Sequence, residues 1–337
     1  MMGRATTAAM PYAAPWWLPG GNLQTIWAAL QATRYLGAKP VFDRERWATP
    51  DCDFIDVDWI KTAPRHHPDG QPLLVVFHGL EGSSGSHYAE AFADVAKARG
   101  WACAIPHFRG CSGELNLAPR AYHSGDFAEI DWILQRFARE HQGPVLAVGI
   151  SLGGNALMRW AAESGASARG VVAGVASVCS PLDLAASGWA IGRGFNRLVY
   201  TRMFLRTMVP KALKKLDQHP GLFDRNRMLA ARDLYAFDNI FTAPVHGFKD
   251  TDDYWSRASA KPHLHRIAVP ALVLNARNDP FIPSTSLPEA RHVSPHVTLW
   301  QPAGGGHVGF PSAPFPQFPG QVRVMPEAVA GFLAAQL

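Results

Sequence analysis

The stretch GPVLAVGISLGGNALMRWAAE, residues 143–163, decides how the rest of the chain is read. Val145, Leu146, Ala147 and Val148 form a short apolar run, the pattern of a strand buried on both faces of a parallel sheet. From Asn155 onward the residues are good helix formers, with Leu157, Met158 and Ala161 at helical spacing. Between them stands Gly149-Ile150-Ser151-Leu152-Gly153, a G-x-S-x-G pattern. A strand that turns into a helix within so few residues brings backbone segments very close, so small residues are required two places either side of the serine. Such a turn holds Ser151 Oγ clear of the sheet edge, at a helix N-terminus whose dipole favours developing negative charge. The pattern alone fits a glycine-rich turn with a capping serine equally well. A nucleophilic serine requires a base and an orienting acid from elsewhere in the chain.

Outward from this stretch, strands and helices alternate. LLVVF (73–77), ACAIP (102–106), a run near 171–178, ALVLNA (271–276) and VTLW (297–300) read as strands, and FIDVDWI (54–60) as a half-buried antiparallel one. HYAEAFADVAKARG (87–100) reads as an amphipathic helix ended by a glycine, Asp126 as the cap of the next helix, and PEAVAGFLAAQL, with Pro326 in its first turn, as the last. This order predicts an α/β fold: a mostly parallel central sheet flanked by helices. Residues 1–50, rich in Pro, Trp and Ala, read as an N-terminal arm with a short helix at Leu23–Gln31. Residues 51–180 and 266–337 form the core, and 181–265, with helices and loops only, form an insertion above the C-terminal edge of the sheet, where ligands bind in such folds. The insertion is expected to act as a lid.

Composition narrows the function. Of 337 residues 47% are hydrophobic and 18% charged, as in a folded protein with a large core. The net charge is +5, but Ile191 to Asp233 alone carries ten Lys or Arg against three Asp, so the excess belongs to the insertion. No nucleic-acid-binding motif accompanies it, and nucleic acid is not an expected partner. Cys52, Cys103, Cys111 and Cys179 show no C-x-x-C spacing, which argues against a zinc site or a disulfide framework and for a reducing compartment. With no signal-peptide h-region at the N-terminus and no apolar run of membrane-spanning length, the expected location is cytoplasmic.

The acid and base follow in order. ALVLNARNDPFIP gives a buried strand, a polar turn and Asp279, and VTLWQPAGGGHVGF places His307 in the loop after the next strand, with room between for one helix and one strand. The order Ser151, Asp279, His307 is that of α/β-hydrolases. Two backbone N–H groups should face the developing oxyanion: Leu152, next to the nucleophile, and Leu80, after His78-Gly79 in FHGLEGSSGSHY. His78 is read as holding that loop rather than as catalytic. Arg109 is read as a loop brace paired with an acid in preference to a substrate clamp. Trp16, Trp17 and Trp27 either line an acyl pocket or pin the arm, Asp250, Asp252 and Asp253 belong to the lid surface or hinge, and Gln24 and Asn155 have no assigned role.

Taken in order, GNLQTIW (21–27), HGLEGSSGSHY (78–88), HFRGCSG with AYHSGD (107–126), GISLGGNAL (149–157), FD and TAPVHGF (237–248), DYWSRAS (253–259), VPALVLNARNDPFIP (269–283) and GGHVGF (305–310) resemble the YheT-like esterases of the α/β-hydrolase superfamily, whose relatives include yeast medium-chain fatty-acid ethyl-ester synthases and mammalian phospholipases. The resemblance covers nearly the whole chain. It implies nucleophile Ser151, acid Asp279 and base His307, the three that spacing selects, acting without a cofactor or metal on short- to medium-chain acyl esters. A proline-rich segment after Phe310 departs from the family pattern. An acyltransferase or a lipid-directed hydrolase would use the same three residues, and a non-catalytic lipid-binding protein would keep the fold without needing them. The run RLVYTRMFLRTMVPKALKKL, interrupted by Pro210, has two readings: a face that rests transiently on an anionic membrane, or a solvated face whose apolar side packs on the core. Composition favours the second.

Overall fold

Strands whose every residue is apolar need a covering layer on each side. The computed structural model, which describes residues 11–61, 70–312 and 320–337, provides both. Eight strands, β1 (Phe42–Ala48), β2 (Phe54–Ile60), β3 (Leu73–Phe77), β4 (Ala102–Pro106), β5 (Val145–Ile150), β6 (Gly174–Val178), β7 (Ala271–Leu274) and β8 (Val297–Trp300), form one sheet in the order β1-β2-β4-β3-β5-β6-β7-β8. β3 to β8 pair in parallel, while β1 and β2 run antiparallel at one edge. Alternation divides each strand between two cores. Leu73, Val75 and Phe77 of β3 pack with Ile130, Phe137, Leu157 and Trp160 from α3 (Phe127–Glu140) and α4 (Leu152–Ser164). Leu74 and Val76 pack on the other face with Phe92 and Val95 of α2 (His87–Ala98) and with Val329 and Leu333 of the C-terminal helix Val324–Ala334. Each fully buried side chain of this size contributes about 1.5–3 kcal/mol. The two cores together fix β5 at the centre of the sheet.

Asp126 caps α3 by accepting from the Glu129 N–H, as the sequence indicates. Four local expectations need correction. The N-terminal region is more than an arm: besides α1 (Gly20–Leu30) it supplies edge strand β1. FIDVDWI is buried along its whole length rather than on one face. Its two polar residues tolerate this because Arg44 and Arg46, directly opposite on β1, form bidentate pairs with Asp58 and Asp56. Between Asp279 and β8 there is no α-helix, only the short 3₁₀ turns Ser284–Ser286 and Ala290–His292. Finally, Pro210 does not break its helix. Arg202–Gln218 is continuous through it, because the packing of Met208 and Ala212 in the insertion's own core outweighs the one lost backbone bond.

The segment between β6 and β7 is helical, including Leu184–Ile191 and Arg202–Gln218, with π-helical turns at Arg197–Thr201 and Asp238–Thr242. It lies over the C-terminal ends of the parallel strands, facing the turn that carries Ser151. No helix among the described residues is long and apolar enough to cross a membrane. Most of the proline-rich stretch, 313–319, lies outside the described residues.

Candidate active site

The β5–α4 turn is as tight as its glycines imply. Ser151 adopts φ +51° and ψ −118°, a conformation costing an L-residue about 1–3 kcal/mol. A Cβ on Gly149 would lie 2.5 Å from Gly153 O, and one on Gly153 would lie 2.5 Å from His78 O and 2.8 Å from Phe77 O. The Ser151 N–H donates to Val178 O at 2.8 Å, tying the turn to β6. Of the six non-glycine residues with positive φ among the described residues, all except Cys52 lie in the loops around this serine: Glu81, Ser151, Cys179, Val308 and Phe310. Strain is concentrated where side chains must be aimed.

Asp279 and His307 meet Ser151. Ser151 Oγ and His307 Nε2 are 3.0 Å apart, and His307 Nδ1 is 2.8 Å from Asp279 Oδ2. The carboxylate only accepts, so Nδ1 carries the proton and Nε2 is free to accept from the serine hydroxyl. The second Asp279 oxygen accepts from the Phe281 N–H at 2.8 Å, and the Phe281 ring lies 4.2 Å from the imidazole. Asp279 is buried and His307 half-buried, so the pair is shielded from bulk water.

What holds the His307 loop comes from the other end of the chain. Gln24 Oε1 accepts from Gly305 N at 2.7 Å and from Asn278 Nδ2 at 2.9 Å, while Thr25 Oγ1 accepts from His307 N at 2.8 Å. Asn278 Oδ1 in turn accepts from Gly306 N. α1 can approach this closely because residue 21 is glycine: a Cβ there would lie 1.8 Å from Asn278 O. Gln24 is the residue of GNLQTIW to which sequence reasoning assigns no role. Nothing local in the sequence marks these contacts, which span more than 250 positions. Asn155, also unassigned, ties α4 to the insertion: its Nδ2 donates to Ser124 O and Ala258 O, and its Oδ1 accepts from Ala260 N.

The loop after β3 and the first residue of α4 supply the candidate oxyanion donors. The N–H groups of Leu80 and Leu152 donate to no group among the described residues, and both residues line the cavity shared with Ser151 and His307. His78 accepts from Phe108 N at Nε2, so its Nδ1–H donates to Gly79 O. Burial holds its pKa down at about 3, so it is neutral and braces the loop. The Gly79 N–H donates to Tyr88 Oη, and Ser84 Oγ donates to Asp58, anchoring the loop to β2. Arg109 is likewise a brace, bound to Asp51, Asp53 and Glu129.

Two cavities meet above the serine. One, about 120 Å³, contains Ser151 and His307 and is walled by Leu184, Ile191, Phe204, Leu234, Phe281 and Ile282. The other, about 70 Å³, has Glu81, Asn116, Tyr122, His123 and Lys211 in its lining. Leu80, Leu152, Met208, Asp238 and Tyr254 line both. Asp238, in a π-helical turn, accepts from Trp255 Nε1 at 2.9 Å, and burial raises its pKa to about 6. Trp16, Trp17 and Trp27 line neither cavity. Trp17 and Trp27 pack edge to face at 5.0 Å within the arm, and Trp27 packs against the cluster of Ala28, Ala32, Ala91 and Val322, which pins the arm to the body. Asp250 caps the helix Thr251–Ala258, and Asp252 accepts from Tyr235; neither approaches His307 among the bonds it makes. Cys179, Asp279 and His307 present ligand-type atoms within 4.8 Å of one another. These atoms are already engaged within the protein: His307 Nδ1 is bonded to Asp279 Oδ2, and the Cys179 thiol donates to Gly306 O.

Comparison with known proteins shows the family to which a chain of this fold belongs. Residues 72–314 match the family model described as alpha/beta hydrolase fold. The chain is 40% identical over 270 residues to the Escherichia coli protein named "Putative esterase YheT", covering 79% of this chain and 78% of that one. It is 29% identical over 287 residues to mouse phospholipase ABHD3, covering 82% and 68%. Among solved structures, the Pyrococcus furiosus esterase Pf2001 aligns over 91% of this chain and 99% of its own with TM-score 0.53 and 15% identity, a likeness of fold. The chain belongs to the α/β hydrolase fold family and is an esterase-type hydrolase acting on ester bonds.

Proposed function

We propose that the protein is a serine carboxylesterase that cleaves short- to medium-chain acyl esters through an acyl-enzyme, with Ser151 as nucleophile, His307 as base and Asp279 as orienting acid. The observation that carries this reading is the chain of contacts Ser151 Oγ–His307 Nε2 and His307 Nδ1–Asp279, at 3.0 and 2.8 Å, at the floor of an apolar cavity. His307 takes the serine proton as Oγ attacks the ester carbonyl. Asp279 keeps Nδ1 protonated and stabilises the imidazolium. The alkoxide forms beside the N–H groups of Leu80 and Leu152, each such donor typically contributing about 100- to 1,000-fold in rate. His307 then gives its proton to the leaving alcohol, and a water, deprotonated by His307 in turn, releases the acid.

The two cavities support a division of the substrate. Because the oxyanion donors line both, the scissile carbonyl sits at their junction, with the acyl chain against Phe204, Leu234 and Ile282 and the alcohol toward Tyr122 and His123. The four cysteines are free, which fits a reducing, cytoplasmic setting. The test is hydrolysis of p-nitrophenyl esters of increasing acyl length by the wild type and by Ser151→Ala. The expected result is an optimum at short to medium chains and a loss of roughly 10⁶-fold in kcat for the variant. Equal rates for the two proteins would refute the assignment.

A further inference from the structure

The helical stretch that runs from Gly194 into Arg202–Gln218 has two faces with different chemistry. Its inner face serves the site: Phe204 and Met208 wall the cavity of Ser151, and the Tyr200 ring lies 4.6 Å from that of Phe281, itself packed on His307. Its outer face is not the polar surface that a solvated helix presents. Phe195, Leu198 and Met203 are 50, 57 and 53% exposed, and Arg193, Arg197, Arg202 and Arg206 stand exposed between them. Positions 195, 198, 199, 202, 203 and 206 recur at the spacing of one helical stripe. None of these four arginines pairs with a carboxylate among the described residues, whereas Lys211, farther along the same helix, pairs with Glu81 at 2.9 Å. A shallow groove floored by Leu198, Leu205 and Val209 runs between Arg197, Arg202 and Arg206.

We propose that this outer face docks on an anionic phospholipid surface. Apolar side chains projecting singly between cations match the acyl–headgroup boundary of a bilayer: Phe195, Leu198 and Met203 enter the acyl layer while the guanidinium groups, planar and forked, take the phosphates. Charge complementarity favours this occupant, because these arginines without carboxylate partners lie in the segment holding the chain's whole basic excess. Docking sets the helix that walls the catalytic cavity directly against the membrane, so an ester leaving the lipid layer has a short path to Ser151. The proposal needs the face and not the turnover, so it stands or falls separately from the esterase reading.

The test is flotation of the full chain with vesicles of phosphatidylglycerol and phosphatidylcholine, and with phosphatidylcholine alone, using the wild type, Arg197→Glu/Arg202→Glu/Arg206→Glu and Leu198→Ser/Met203→Ser. Turnover of a short soluble ester serves as the folding control. The wild type is expected to bind the anionic vesicles and be released by salt. Each arginine contributes roughly fivefold to partitioning, so the triple reversal should lose roughly 100-fold or more. The apolar pair should weaken binding at all salt concentrations, and both variants should keep soluble-ester turnover. Equal binding to neutral vesicles, unaltered binding by the triple variant, or no binding by active wild type at low salt would each overturn the proposal. So would self-association of the wild type abolished by the same substitutions, which would give the face to a second copy.

Discussion

Asp238 is kept ionisable at a cost to the fold, and Asp238→Asn measures that cost. The carboxyl lies in the wall shared by the two cavities, among Met208, Tyr254 and Trp255, and burial raises its pKa from 3.8 to about 6. In the unfolded chain the proton leaves first, so between about pH 4 and pH 6 the folded state holds a proton that the unfolded state has lost. Stability from this group is therefore full at low pH, falls as pH rises through that window and is flat above it. Holding the proton that much more tightly in the folded state is worth about 3 kcal/mol. Asn has one acceptor oxygen, so the variant loses one of the bonds from Trp255 and Thr242, a pH-independent loss of about 1 kcal/mol. Urea unfolding of both proteins should show the variant about 0.5 kcal/mol less stable at pH 4, where about half the unfolded carboxyl has already ionised, and about 2 kcal/mol more stable at pH 7.5. Other titrating groups cancel in the comparison. A stability difference that is the same at the two pH values would refute the reasoning and place Asp238 in contact with solvent.

Three further substitutions probe how the site is held. Gly153→Ala puts a Cβ 2.5 Å from His78 O; it should destabilise by about 1–3 kcal/mol and, by pushing the Leu80 loop away, lower kcat roughly 100-fold, read from thermal melts beside steady-state kinetics. Thr25→Val keeps the shape but leaves the His307 N–H without its acceptor; kcat should fall roughly 10- to 100-fold with KM little changed, although residue 25 touches no substrate. Asp279→Asn should lower kcat by about 10⁴ with the melting temperature little changed, since Nδ1 would then be held in the wrong tautomer.

The core of the fold and the three residues that meet at the end of β5 were legible because each is written locally. β5, its tight turn and α4 occupy one continuous stretch, and Asp279 and His307 each follow a parallel strand at its C-terminal end. What was not legible depends on partners far away in sequence. FDRERWA reads as part of the N-terminal arm until Arg44 and Arg46 meet Asp58 and Asp56 across the ladder. The same pairing explains why FIDVDWI is buried on both faces despite its alternation. Gln24 and Thr25 give no local sign of bracing a loop 280 residues on. Pro210 reads as a helix breaker from propensity alone, and only the packing of Met208 and Ala212 reverses that. The outer stripe of Arg202–Gln218 and the turn before it was the harder case: composition gave apolar and basic residues, but not that apolar residues occupy both faces.

The most direct measurement is reaction of the purified protein with a fluorophosphonate, followed by intact mass and peptide mapping, beside Ser151→Ala and His307→Ala. An activated serine predicts one adduct per chain, located at Ser151, absent from Ser151→Ala and much slower to form in His307→Ala. An adduct on another residue, or none on folded protein that hydrolyses esters, would contradict Ser151 as the nucleophile.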